Sequence, residues 1–83
     1  MKSRIPQFNK AVTKTKNGQL YNGEHLFNYY DKTSNDYEQY VITFEKGYIH
    51  NNSGPAVRFT DGWEEYWEEG VFKSALSSFG VNT

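Results

Sequence analysis

Apolar and polar residues alternate most cleanly over residues 38–45. There Tyr40, Ile42 and Phe44 fall on one side and Gln39, Val41, Thr43 and Glu45 on the other. A period of two is the signature of a half-buried strand. Strand-like patterning also marks residues 10–15, 20–21, 25–31, 48–50 and 56–60. The intervals between them are polar or glycine-rich. Lys16-Asn17-Gly18-Gln19, Asn22-Gly23, Lys46-Gly47 and Asp61-Gly62 read as turns, and residues 32–36 and 51–55 as loops. Residues 63–72 fit two periods. As a helix, Trp63, Tyr66, Trp67 and Val71 share a face and Asp61 with Glu64 forms a capping box. As a strand, Trp63 and Trp67 share a face with Glu65, and Tyr66 lies opposite. The strand reading is preferred because of a repeat.

A large apolar residue, two polar ones and a glycine recur as Leu20-Tyr21-Asn22-Gly23, Phe44-Glu45-Lys46-Gly47 and Trp67-Glu68-Glu69-Gly70. The glycines are 24 and 23 residues apart. Such spacing marks a repeated supersecondary unit that must stack on its neighbour to bury its apolar face. Phe44 lies in the clearest strand, so Trp67 is placed in one too. The expected architecture is a single all-β domain, a small antiparallel β-meander. Residues 1–9 are expected to form a loosely packed or edge-pairing arm, 10–72 the meander, and 73–83 either a C-terminal tail or a short helix over 73–79. An open meander leaves edge strands for dimerisation or strand addition.

From Gly47 onward the chain resembles a MORN-type repeat of the bacterial variant kind. The resemblance lies mainly in residues 44–70. Its carriers are Gly47-Tyr48-Ile49-His50, Gly54-Pro55-Ala56, Asp61-Gly62 and Tyr66-Trp67-Glu68-Glu69-Gly70. It covers about a third of the chain well, and Tyr21-Asn22-Gly23-Glu24 looks like a degenerate earlier copy. Two positions depart from the pattern. Asn51 stands where the family often has Arg, and Lys73 stands where the third copy would have His, as in a capping repeat. The resemblance implies successive hairpins. It also implies roles in protein contact, lipid-headgroup contact, or antitoxin- and immunity-like proteins. The motif residues are mainly structural, so fold is better supported than function.

Composition narrows the chemistry. The chain has 83 residues and no cysteine, which excludes disulfides and thiolate metal sites. Aromatics make up 18% against 36% for all hydrophobic residues, so large rings compensate for a short chain. There is no apolar run of membrane-spanning length and no signal-peptide pattern, so a cytoplasmic protein is expected. Net charge is −1 but uneven: +5 over residues 1–20, −2 over 21–60 and −4 over 61–83. His25 and His50 lack ligand spacing, and His50 suits turn capping by hydrogen bonding. No cofactor, metal or catalytic residue is expected. The serines lack a nucleophile elbow, and an open meander offers little depth for a reaction.

Protein binding fits best. Trp63, Glu64, Glu65, Tyr66, Trp67, Glu68 and Glu69 are the candidate contact patch, suited to a basic groove such as that of a nucleic-acid-handling partner. A small inhibitor, antitoxin or phage-type counter-defence protein matches that chemistry. In the structural alternative, Trp63 and Trp67 belong to the core and the glutamates keep an outer strand soluble. The competing function is nucleic-acid or anionic-surface binding. Lys10, Lys14 and Lys16 would form a stripe on a strand, with Tyr21, Phe27, Tyr29 and Tyr30 stacking bases.

Overall fold

A computed structural model describes residues 2–31 and 35–77. A short 3-10 helix, Pro6–Phe8, precedes six strands: β1 (Gly23–Asp31), β2 (Asp36–Glu45), β3 (Tyr48–Ile49), β4 (Val57–Phe59), β5 (Glu64–Glu68) and β6 (Val71–Leu76). They form one antiparallel sheet in the order β1-β2-β4-β5-β6, with β3 pairing the end of β2. The all-β meander expected from the sequence is therefore present, and residues 63–72 are not helical; instead of the single strand expected there, they hold β5, a turn at Glu69-Gly70 and the start of β6.

The repeat marks turns. Lys46-Gly47 and Glu69-Gly70 both have two successive positive φ angles, 53° and 85°, then 49° and 82°. Such pairs join antiparallel strands through two residues and match their twist. Glycine is required twice over at these places. A Cβ on Gly47 would lie 2.9 Å from Val12 Cγ1, and one on Gly70 would lie 2.6 Å from Tyr48 Cδ1. The chain also ties each turn to its neighbour. The Lys46 amide donates to Asn22 Oδ1 (2.8 Å), and the Glu69 amide donates to His50 Nδ1 (3.0 Å). His50 thus caps a turn, as its place in the sequence suggested.

Strand alternation sends Tyr40, Ile42 and Phe44 of β2 to one face, together with Val57, Phe59 and Trp67. A single sheet needs something to cover that face, and here the N-terminal segment does so. Ile5 is fully buried in the same cluster, and Phe8 packs against it. The arm is therefore not loose, which corrects the sequence expectation. Its weak periodicity carried no sign of this because its partners lie some 60 residues away.

Other expectations shift. Residues 10–15 and 20–21 form no named strand and meet only in the isolated bridge Lys14↔Leu20. Instead they wrap the repeat turns. Lys10 N donates to Gly70 O, and Thr13 N donates to Gly47 O (2.7 Å). Asn22-Gly23 leads directly into β1. The expected helix over 73–79 is replaced by strand as far as Leu76, because β5 offers a free ladder edge that extended backbone satisfies. Its remainder beyond Ser77, and residues 32–34 of the polar loop, lie outside the described residues.

Candidate functional site

The seven residues of the acidic–aromatic segment separate by parity. Alternation along β5 turns Glu65 and Trp67 inward and Glu64, Tyr66 and Glu68 outward. Glu65 is fully buried. Its Oε1 accepts from Ser3 Oγ (2.7 Å) and Trp67 Nε1 (2.8 Å). Its Oε2 accepts from the Arg4 amide (2.7 Å) and Trp63 Nε1 (2.9 Å). Four donors on one carboxylate make this the latch that holds the arm against the sheet. A buried charge is tolerable only when so completely hydrogen-bonded.

Arg4 reinforces the latch. Its guanidinium lies between the rings of Phe59 (4.9 Å) and Trp63 (4.6 Å), and it meets Asp61 at 2.9 Å and Glu38 at 3.5 Å. Burial of Asp61 pushes its carboxyl up. The Trp63 amide, the Arg4 guanidinium and Glu38 outweigh that and hold it below its ordinary value of 3.8. Trp63 and Trp67 are thus core-side residues that satisfy a carboxylate, as one half of the structural alternative held; the other half fails, since β5 lies between β4 and β6 and Glu65 is buried. Sequence reasoning missed Ser3, Arg4 and Ile5, and no local signal marks them.

The opposite face of the sheet has no cover among the described residues. In register, Leu26, Val41, Arg58, Glu64 and Leu76 form one row across five strands. Leu26 is 63% exposed, Tyr37 63%, Tyr30 52% and Leu76 49%. Tyr66 stands opposite Ser74 on this face, and Glu68 sits 3.8 Å from Lys73 Nζ. Arg58 bridges to Glu24 at 3.0 Å. Glu69 lies exposed in the β5–β6 turn. The outward members of the patch therefore join an apolar, tyrosine-bearing surface bordered by carboxylates.

The basic set is not a strand stripe. Lys10 has a positive φ of 63° beside Gly70, Lys14 forms the isolated bridge, and Lys16 lies in the turn after it. Of the rings expected to stack bases, Tyr21 and Phe27 pack inward. Tyr21 stacks on His25 (centroids 4.5 Å apart) and Phe27 on Tyr40 (5.7 Å). Tyr30 faces outward.

A hollow of about 270 Å³ is lined by Glu45, Lys46, Tyr48, His50 and Glu69. His50 there is occupied by the Glu69 amide and Asn52 Oδ1 (2.8 Å). Among the described residues, no group of three or more His, Asp or Glu is placed to hold a metal ion. No helix among them is long and apolar enough to cross a membrane. Comparison with known family models, with curated proteins and with solved structures found no match to this chain.

Proposed function

We propose that this protein is a small, cytoplasmic, non-enzymatic binding module of MORN-like build that acts by occupying the surface of a protein partner. The inhibitor, antitoxin or counter-defence class suits such a mode of action. The observation that carries the reading is the division of the sheet. One face is sealed by the chain's own N-terminal segment, while the other presents Leu26, Tyr30, Tyr37 and Leu76 without cover among the described residues. Exposed apolar area of this kind, rimmed by polar groups, is the usual mark of an interaction surface. Glu64, Tyr66 and Glu68 on β5, with Glu69 at its end, supply the acidic side and favour a partner with a basic, partly apolar groove. The MORN-like reading is supported by the two matched glycine turns and by His50 capping the next turn.

The test is affinity capture from host lysate at moderate salt, with and without nuclease, using the wild type and a Glu64→Lys/Glu68→Lys variant. A stoichiometric protein that survives nuclease and is lost with the variant supports the proposal. Retention of that protein by the variant overturns the acidic contact. Capture that disappears with nuclease transfers the function to Lys10, Lys14 and Lys16.

A further inference from the structure

The two ends of the sheet are built differently. At β6 the edge is six residues long, is irregular opposite Tyr66/Trp67, and has its Phe72 amide satisfied by Asn9 Oδ1 (3.1 Å). At β1 the edge is nine residues long and regular, and contains no proline, lysine or arginine. Proline and charged side chains, lysine above all, are devices by which natural sheets protect an edge; β1 has only Glu24 and Asp31, at its ends.

The register shows which groups β1 presents. On β2, Thr43 donates to Ala56 O and accepts from the His50 amide, and Gln39 O accepts from the Thr60 amide. The odd-numbered backbone groups of β2 therefore face away from β1, and the even-numbered ones face it. Their β1 partners are Gly23, His25, Phe27, Tyr29 and Asp31. The amides and carbonyls of Glu24, Leu26, Asn28 and Tyr30 consequently point out of the sheet, and none is bonded by another described backbone group. Their side chains lie on the uncovered face, where Leu26 and Tyr30 are exposed.

We propose that β1 is a homodimerisation edge, pairing antiparallel with β1 of a second copy about a two-fold axis at Phe27. Phe27 is the midpoint of Gly23–Asp31, so this register leaves none of the four edge positions unpaired. Glu24 faces the second copy's Tyr30, and Leu26 faces its Asn28. Glu24 and Asp31 each meet an uncharged residue, Tyr30 and Gly23, so no like charges are opposed. Leu26 also comes to lie between the second copy's Leu26 and Tyr30, its diagonal neighbours. A net charge of −1 gives two copies little mutual repulsion. A foreign strand could use the same edge, but the self-complementary placement of all four edge positions favours a copy of this chain. The dimer would join two five-strand-wide faces into one sheet. It shares the exposed Leu26 and Tyr30 with the face proposed for partner contact, but leaves the acidic side of that contact on β5, near the other edge, free.

The experiment is sedimentation equilibrium of the full chain from about 1 to 300 μM, alongside two single variants. Asn28→Pro removes an amide that faces the edge and costs no backbone bond to β2, only the long side-chain contact from Gln39 Nε2 (3.4 Å). Leu26→Lys places a charge on the axis-facing row. A wild-type dimer, with both variants monomeric and their circular dichroism unchanged, supports the proposal. A wild-type monomer throughout, or a Leu26→Lys variant that stays as dimeric as the wild type, overturns it. The register is checked with single thiols, which report cleanly because the sequence contains no cysteine. Leu26→Cys mixed with Asn28→Cys should form a disulfide-linked heterodimer faster than either variant links to itself. Equal or reversed rates would overturn the Phe27-centred register.

Discussion

Glu64 and Glu65 are neighbours in sequence and opposites in structure. Glu65 lies under the N-terminal arm, holds four hydrogen bonds and sees no solvent. Glu64 lies on the other face of the same strand, between Arg58 and Leu76, with solvent beside it. One peptide step through the sheet converts a binding candidate into a structural anchor. The contrast shows that the two faces differ: one is packed into the fold, and the other is left open to solvent among the described residues. It also shows why an acidic run cannot be treated as a unit, since changing all four glutamates together would unlatch the arm.

Removing the anchor has the largest expected effect. Glu65→Ala leaves the donors of Ser3, the Arg4 amide, Trp63 and Trp67 without that acceptor, the Trp67 one fully buried, and should cost about 3 kcal/mol or more. That is enough to unfold much of a domain this small. Urea titration followed by the fluorescence of Trp63 and Trp67, which flank the carboxylate, reads it directly. A loss under about 1 kcal/mol would mean the arm is held by something else.

Ile5→Ala tests the same side of the sheet without touching a charge. It should cost about 2–5 kcal/mol, because Ile5 is fully buried in the central cluster. Removal of residues 1–5 should cost at least as much as either single change if the arm and sheet fold as one unit. Gly70→Ala should cost about 1–3 kcal/mol, from the positive φ and from the added Cβ against Tyr48. The same change at Gly23, with a positive φ but no atom within 4 Å of a Cβ, should cost less. Thermal melts of the pair separate strain from collision.

Acid sharpens the contrast further. The Asp61 carboxyl is held below 3.8, so the folded state prefers its charged form. The resulting stability is present above 3.8 and is lost as pH falls through the folded value. Asp61→Asn should therefore make the acid limb of the stability curve shallower and leave the neutral limb slightly lower. The change should be small because the pair with Arg4 is partly solvent-exposed. The smallest effect on stability belongs to the outer face. Glu64→Lys with Glu68→Lys should shift unfolding by less than about 1 kcal/mol while abolishing partner capture. A large loss of stability from that pair would erase the distinction between the faces.

The sequence by itself determined the strands between residues 25 and 68, but not the structure of 10–15, 20–21 or 73–76. Alternation at Tyr40, Ile42 and Phe44 revealed both the strand and its buried side, Lys46-Gly47 read as a turn, and the apolar-x-x-Gly repeat matched it to Gly70, whose turn with Glu69 the structure shows. These are local effects: side-chain period and positive φ are properties of a few adjacent residues. What covers the sheet was decided only in three dimensions. Ser3, Arg4 and Ile5 gain their roles from partners such as Glu65, 61 residues away from Arg4, and no spacing rule reaches that far. The same holds for Glu65 itself. Its parity on β5 was legible, but the inward face could be identified only once the arm had been placed across it. The lysines failed as a stripe for the converse reason, since 10–15 is held by the carbonyls of neighbouring turns rather than by a strand partner. Sequence determined which residues alternate. Tertiary packing decided which side of that alternation is inside.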